Sequence, residues 1–541
     1  MRFPALFLLL GLGLGAVAGA RADVKLPAIF GDHMVLQQDV RLPVWGTADP
    51  GEEIAVTVGE RQGKAVADAN GQWRVDLDPL PVTRTPVEVQ VSGRNTLRFT
   101  DVLIGDVWLC SGQSNMEFGI GNAPNAAAIV PQFNFPSLRL FLVPHRIAFE
   151  PQADIVRDNL KGQWVVCTPE NIVKVGGWNG FSAVGLFFAK ELQAARPGQP
   201  LGLIGAYWGG TAAQSWTSLE ATRAEPALSG FVSEFEKTRD NWAAILDAYR
   251  TTTLPKWEQE HEAWKQKTAQ AAPGSPATPE PEPKKPNSPD AYPQFPVILF
   301  DGMIAPLIPY SLKGVLWYQG ESNNGGQPYA KMLETLIGDW RRRWGQGDFP
   351  FLLVQIPSWA EGDYLVPIRD AQLKTLSLPN TGLAVTIDLG EEHDVHPKEK
   401  SEVGRRLALL ARRVAYGEDL VASGPLYASA QEEGGKMRVG FSRVGSGLAI
   451  GVTPAPAGAV PGAVADRLVG FEVAGTDNRF VPAQAQIEGD SVLVWSDAVP
   501  QPKAVRYGHT GYARPPLNLY NKEGLPASPF DTQTSTPVAG K

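Results

Sequence analysis

Apolar and polar positions follow two different rhythms along this chain, and they divide it. Between residue 23 and about residue 100 the runs are short and alternating or β-branched, at 40–46, 54–58 and 87–91. Turn residues such as Asp49-Pro50-Gly51 and Asn70-Gly71 separate them. Alternation puts one face of a strand inward, and several such strands in succession predict a β-sandwich. From about residue 101 the apolar runs become continuous, at 102–109, 201–207, 315–318, 351–356 and 383–387. These read as strands buried on both faces. Helical periodicity falls between them: 183–192 behind a capping Ser182, 329–344, and a basic amphipathic stretch at 399–415. Apolar strands alternating with helices predict a parallel sheet covered on both sides. After about residue 420 the β-like pattern returns, at 437–441, 448–452, 491–495 and 504–507.

One stretch, 222–296, breaks the α/β pattern. Its first part is polar and helix-like, with Trp242, Trp257 and Trp264. Its second part, 273–296, is rich in Pro, Glu and Lys, a composition that builds no core. The expected organisation is therefore a leader at 1–22, a β domain at 23–100, a catalytic α/β domain at 101–418 with a surface insertion at 222–296, and a C-terminal β region at 419–541.

The leader reading rests on Met1-Arg2, an apolar run at 3–18 and the small-residue end Ala20-Arg21-Ala22. A charged start, apolar centre and A-x-A-like site describe a cleavable secretory signal. The run is shorter than the roughly 20 residues a spanning helix needs. The expectation is a periplasmic or secreted protein with no membrane partner after cleavage. Removing 1–22 takes the net charge from −8 to −10, because Arg2 and Arg21 leave and no acid does. That acidity argues against nucleic acid, which requires a basic stripe. The remaining 519 residues exceed one ordinary core. Two cysteines, Cys110 and Cys167, do not make a disulfide framework, and buried free thiols are preferred over one bridge. Oligomeric state is not legible.

The candidate chemistry sits in four motifs that each follow an apolar run. They are Gly112-Gln113-Ser114-Asn115-Met116, Trp208-Gly209-Gly210-Thr211, Gln319-Gly320-Glu321-Ser322-Asn323 and Asp394-Val395-His396-Pro397. Ligands of doubly wound sheets bind beyond the carboxyl ends of the strands. Taken alone, Ser114 in such a turn reads as a helix N-cap before it reads as a nucleophile. Asp394 and His396, two residues apart, shift the balance, because the carboxylate can hold the imidazole while its other nitrogen takes a serine proton. Asp388 rivals Asp394 for that role. Glycines at 209 and 210 allow a backbone N–H to face the cleft. Gln319 or Asn323 can supply an amide, and Glu321 braces the loop or holds a substrate hydroxyl. A metal reading uses His393 and His396 in H-x-x-H with Glu391, Glu392 and Asp394, without a supporting third histidine motif.

Together these motifs resemble the blocks of the SGNH hydrolase superfamily, in its sialate O-acetylesterase-like branch. The likeness continues in Gly180-Phe181-Ser182-Ala183-Val184-Gly185 and in 518–530. It implies a flavodoxin-like fold and hydrolysis of sugar O-acetyl esters without a cofactor. It makes Ser114 the nucleophile, His396 the base and Asp394 the orienting acid. The oxyanion hole would use the N–H groups of Ser114 and Gly210 with an amide from Gln319 or Asn323. Trp208, Trp216, Trp317 and Trp359 lie in or near the motif loops and suit sugar stacking, with Trp208 and Glu321 as the substrate-binding candidates. Arg341, Arg342 and Arg343 read as a solvated helix face, so no arginine stands ready for a sialate carboxylate. Acetylated plant polysaccharide, xylan or xyloglucan, is the broader expectation beside sialic acid. The competing readings are a non-catalytic carbohydrate-binding protein and a metal-dependent hydrolase.

Overall fold

The computed structural model describes residues 23–269, 281–291, 294–323, 328–451 and 467–538. The leader expected at 1–22 and part of the Pro-rich stretch lie outside them.

The architecture is mixed α/β around one large, mostly parallel sheet. Its strands are β1 (Thr96–Gly112), β2 (Phe135–Leu142), β3 (Trp164–Cys167), β4 (Leu201–Tyr207), β5 (Gly314–Tyr318), β6 (Phe351–Val354) and β7 (Thr381–Ala384). They lie in the order β7-β6-β5-β1-β4-β2-β3, and β3 alone in this path is antiparallel to its neighbour. Without the outer pair β2 and β3, the parallel strands run second, first, third, fourth, fifth in chain order. The chain thus leaves β1 toward β4 on one side and returns to β5 on the other. That reversal opens a crevice at the carboxyl end of β1.

Continuous apolar sequence follows from burial on both faces. Trp108 and Cys110 of β1 point to one side, with Leu203, Leu316, Leu352 and Val354, against helices α1 (Ala183–Ala195) and α4 (Lys400–Val414). Val107 and Leu109 point to the other, with Ile204, Val315, Trp317 and Leu353, against α2 (Tyr329–Trp344) and α3 (Val366–Lys374). Ser182 caps α1 by accepting the Gly185 N–H, as its position suggested.

β1 is 17 residues long and serves two sheets. Its first half pairs antiparallel with Thr83–Ser92, its second half with β4 and β5. The junction expected at 100/101 therefore falls inside a strand. The change of texture there marks where the strand passes from a sheet half open to water into one covered on both faces. Val35–Gln37 pairs parallel with Leu103–Gly105, and the core beneath the N-terminal strands runs on into the α2 side of the large sheet.

The insertion begins with helices Ser229–Ala248 and Leu254–Ala269, largely exposed, and residues 281–288 carry no regular element. After residue 420, two four-stranded antiparallel sheets and a two-stranded one enclose a third core, which takes in Val385 and Ile387. These two extend the apolar run past the end of β7, which is why 383–387 read as one strand. Both cysteines are free and buried. Burial raises the Cys110 thiol far above its ordinary range and the Cys167 thiol to about 12. Among the described residues no helix is long and apolar enough to cross a membrane.

Candidate active site

Three adjacent strands end at one rim: β1 in Gly112-Gln113-Ser114, β4 in Trp208-Gly209-Gly210 and β5 in Gln319-Gly320-Glu321. The close approach of β1 and β5 depends on Gly112. Its φ is +135°, and a Cβ there would lie 2.1 Å from the Tyr318 carbonyl oxygen. The loop after β7 brings in His396. His396 Nε2 stands 2.9 Å from Ser114 Oγ across 282 positions of chain. Asp394 Oδ1 accepts the His396 backbone N–H at 2.9 Å and lies 3.5 Å from Nδ1. Asp388, the sequence rival, is turned away. Both its oxygens take Arg406 at 2.7 Å, and Tyr520 donates to it as well.

These groups open on a cavity of about 490 Å³ lined by Ser114, Gly210, Trp208, Glu321, His396 and, among others, Gln113 and Glu117. Ser114 N–H, at the start of a short helix, makes no intrahelical bond. Glu117 Oε2 accepts the Gly209 N–H at 2.6 Å and pins that turn. With Gly209 committed and Gly210 at φ +72°, the Gly210 N–H is the one left for the cavity.

The third-block amides are corrected. Neither Gln319 nor Asn323 lines the cavity. Gln319 Nε2 donates to Gln113 Oε1, Thr211 O and Asn323 Oδ1, and the Asn323 amide reaches Gln214. Both residues are buried and spend their donors on the scaffold beneath the rim. Glu321 Oε1 accepts Asn115 Nδ2 at 2.5 Å, which favours the bracing role, although the residue reaches the cavity wall.

The arginine expectation also changes. Arg341 is buried and donates to the carbonyls of Phe349 and Pro379, while Arg343 pairs with Asp339 and Glu220. Five donors on one fork suit carbonyl-rich turns better than water alone. Only Arg342 of the three stays mostly exposed. The tryptophans divide: Trp216 and Trp317 are core, Trp208 and Trp359 face the cavity.

Several site residues had no place in the sequence reading. His145 stacks on Trp208 with centroids 4.1 Å apart and lies 3.5 Å from Glu117. It follows β2, so an apolar run before it was the available clue. Burial pushes His145 down to about 4 and raises the Glu117 carboxyl. Trp178 meets the His396 ring edge-on at 4.9 Å. Lys400 is wholly buried and donates to Asn115 Oδ1 at 2.5 Å, while Asn115 Nδ2 also reaches the Val395 carbonyl. Burial lowers Lys400 to about 7. Burial first, then the Lys400 charge, lowers the His396 imidazole below its ordinary value, and Asp394 opposes them. His393 of the metal reading has an 84 % exposed side chain, paired with Glu392 rather than with the Ser114–His396 pair. Among the described residues no group of three or more His, Cys, Asp or Glu is placed to hold a metal ion.

The arrangement offers a hydroxyl touching an imidazole, an acid behind it and free donors in front, which is the equipment of acyl transfer. Comparison with known proteins agrees. The family description "Carbohydrate esterase, sialic acid-specific acetylesterase" matches residues 104–249 and 302–412. Sialate O-acetylesterase from Rattus norvegicus is 32 % identical over 450 residues, covering 75 % of this chain and 77 % of that protein. The enzyme of the same name from Homo sapiens is 30 % identical over 459 residues, covering 77 % and 76 %. The crystal structure of a carbohydrate acetylesterase from Xanthomonas citri superposes with a TM-score of 0.74 at 35 % identity, covering 95 % of this chain and all of that one. The chain thus belongs to the sialate O-acetylesterase-like carbohydrate esterases, and it is a carboxylic ester hydrolase.

Proposed function

We propose that this chain is an exported O-acetylesterase of the SGNH type that removes acetyl groups from neutral polysaccharide sugars through a Ser114–His396–Asp394 acyl-enzyme mechanism. The 2.9 Å approach of His396 Nε2 to Ser114 Oγ is the observation that carries this reading. The strand order and the four strand-end motifs support the flavodoxin-like assignment, and the leader pattern at 1–22 supports export.

In the proposed reaction Ser114 Oγ attacks the acetyl carbonyl carbon and its proton passes to His396 Nε2. The carbonyl oxygen becomes negative in front of the free donors. The bond to the sugar oxygen then breaks, and the imidazolium returns its proton to that oxygen. Water, deprotonated by the same imidazole, attacks the acetyl-enzyme; acetate leaves and Ser114 recovers its proton. Asp394 orients the ring and stabilises its charged form.

The name of the rat and human relatives points to sialic acid, that of the Xanthomonas citri protein to carbohydrates at large. A sialate carboxylate calls for an arginine or lysine. The acidic side chains among the lining residues are Glu117 and Glu321, and among the described residues no lysine or arginine lines the cavity. Lys161 acts on Glu117 and His145 without reaching the wall. The aromatic walls of Trp208 with His145 and Trp359 with Tyr364 suit a neutral ring.

Acetate release should be measured on acetylated xylan, acetylated xyloglucan, O-acetylated sialic acid and p-nitrophenyl acetate. The expected result is turnover of the neutral polymers ahead of sialic acid, with Ser114→Ala lowering kcat by about 10⁴-fold or more. An unchanged rate in that variant ends the serine mechanism. Glycan binding with no acetate released would leave a carbohydrate-binding protein instead.

A further inference from the structure

Gln113, the residue before the nucleophile, is only 3 % exposed, yet it lines the cavity beside Ser114 and Gly210. Its backbone is fixed on both sides. The N–H donates to the Tyr318 carbonyl at 3.0 Å, and the carbonyl accepts from Met116 and Glu117 at 2.9 Å each. Its carboxamide oxygen accepts three N–H groups, from Gln319 Nε2, Gly320 and Ser322, each at 3.2 Å. Two of these are backbone N–H groups, which cannot accept. The carboxamide therefore has one chemically consistent orientation, with Oε1 toward the Gln319–Ser322 turn and Nε2 away from it. Nε2 has no protein partner among the described residues.

A donor with no protein partner, on a residue that lines an open cavity, is available to a ligand there. Here the same group is held rigid from the opposite end and sits on the wall where the reacting carbonyl must lie. Gln319 cannot serve instead, because its own amide is the clamp.

We propose that Gln113 Nε2 is the side-chain donor of the oxyanion hole, completing it with the backbone N–H groups of Ser114 and Gly210. Gln319 is then a positioning residue that grips the Gln113 oxygen and turns its NH₂ into the cavity. This inference rests on the acyl-transfer reading above. No bond is made or broken at Gln113; its N–H meets the acetyl oxygen as negative charge develops there. Donors fixed before the reaction need no rearrangement to stabilise that charge.

The test is Gln113→Glu, which keeps an oxygen for the three N–H groups and replaces only the NH₂. With p-nitrophenyl acetate the expected result is a fall in kcat of roughly 10²–10³-fold, the range for one lost oxyanion donor. KM should stay within about threefold and the Tm near the native one, because both depend on contacts the variant retains. The affinity for methylboronic acid, whose tetrahedral serine adduct mimics the oxyanion, should fall in parallel. If Q113E does not fold, Gln113→Met, uncharged and of similar volume, carries the same expectation. A folded variant with kcat within about threefold of native, or with only KM or Tm changed, overturns the proposal. Inactivity of the native chain overturns the esterase reading and this assignment with it.

Discussion

His396 lies between a buried cation and a carboxylate that pull its titration in opposite directions, and their balance sets the pH at which the base is usable. In the proposed reaction the neutral imidazole is the active form, so kcat/KM falls as pH drops through its pKa. Burial and Lys400 hold that pKa below the ordinary value, so the acid limb should lie below about 6.5. Lys400, held down to about 7 by burial, becomes more fully charged as pH falls through that range. Lys400→Met should therefore move the acid limb to higher pH, and Asp394→Asn to lower pH with a fall in kcat. A pH profile of kcat/KM on the uncharged p-nitrophenyl acetate reads both shifts. A limb that moved down in the lysine variant would contradict the charge argument. The same lysine has a mechanical part. Through Asn115 it joins the loop of His396 to the turn of Ser114, since Asn115 also holds Glu321 and the Val395 carbonyl.

Among the elements, α4 fixes the loop that carries His396. Its amphipathic pattern was plain, yet its inner face carries Arg406 as well as Val403, Leu407 and Leu410. Arg406 is buried, binds Asp388 with two parallel bonds and also meets Glu402 and the Val385 carbonyl. This ion pair ties α4 to the segment just beyond β7. Arg406→Met would leave the Asp388 carboxylate buried without its cation, and the loss should be about 3–5 kcal/mol. The midpoint of urea unfolding measures it. A shift equivalent to less than about 1 kcal/mol would mean that Asp388 is satisfied by other groups. Activity per folded molecule should survive, since neither residue lines the cavity.

Across the whole molecule, a loop between two C-terminal strands reaches back to the segment that carries the cavity residues Trp359 and Tyr364. Arg369 of α3 is buried and donates to the carbonyls of Ile356 and Pro357 on the large-sheet side and of Thr510 and Gly511 on the C-terminal side. Gly511 completes the clasp: its N–H goes to Asp363 Oδ1 and its carbonyl accepts from Trp359. A Cβ at Gly511 would lie 2.7 Å from the Asp363 nitrogen and 2.8 Å from the Trp359 carbonyl oxygen. Gly511→Val should push this loop off and displace the Trp359 and Tyr364 wall. The expected effect is a KM for acetylated polymer raised roughly tenfold, equivalent to about 1.4 kcal/mol of lost contact. The rate on p-nitrophenyl acetate should change little, because Ser114 and His396 are anchored elsewhere. Equal losses on both substrates would show that the clasp supports the reacting groups themselves.

The rhythm of the chain was sufficient for most strands and helices of the large sheet, because burial on one or two faces is a local property of side-chain order. The runs at 201–207 and 329–344 became β4 and α2 with those bounds, and all four motifs stand at strand ends or in the loop beyond β7. β2 and β3 were not foreseen, and with β2 went His145, which follows it. Chain order also could not tell which way a polar group turns. In chain order Asp388 rivalled Asp394 as the partner of His396, but Arg406 from the next helix takes both its oxygens. Gln319 and Asn323 had the right chemistry, but Thr211, Gln214 and Gln113 drew their amides inward. Arg341 looked solvated until the carbonyls of Phe349 and Pro379 closed over it. In each case the deciding partner lay outside the residue's own element, from 8 residues away for Phe349 to 206 for Gln113. A buried polar group faces whichever neighbour saturates its hydrogen bonds, and that neighbour is chosen only when the elements pack.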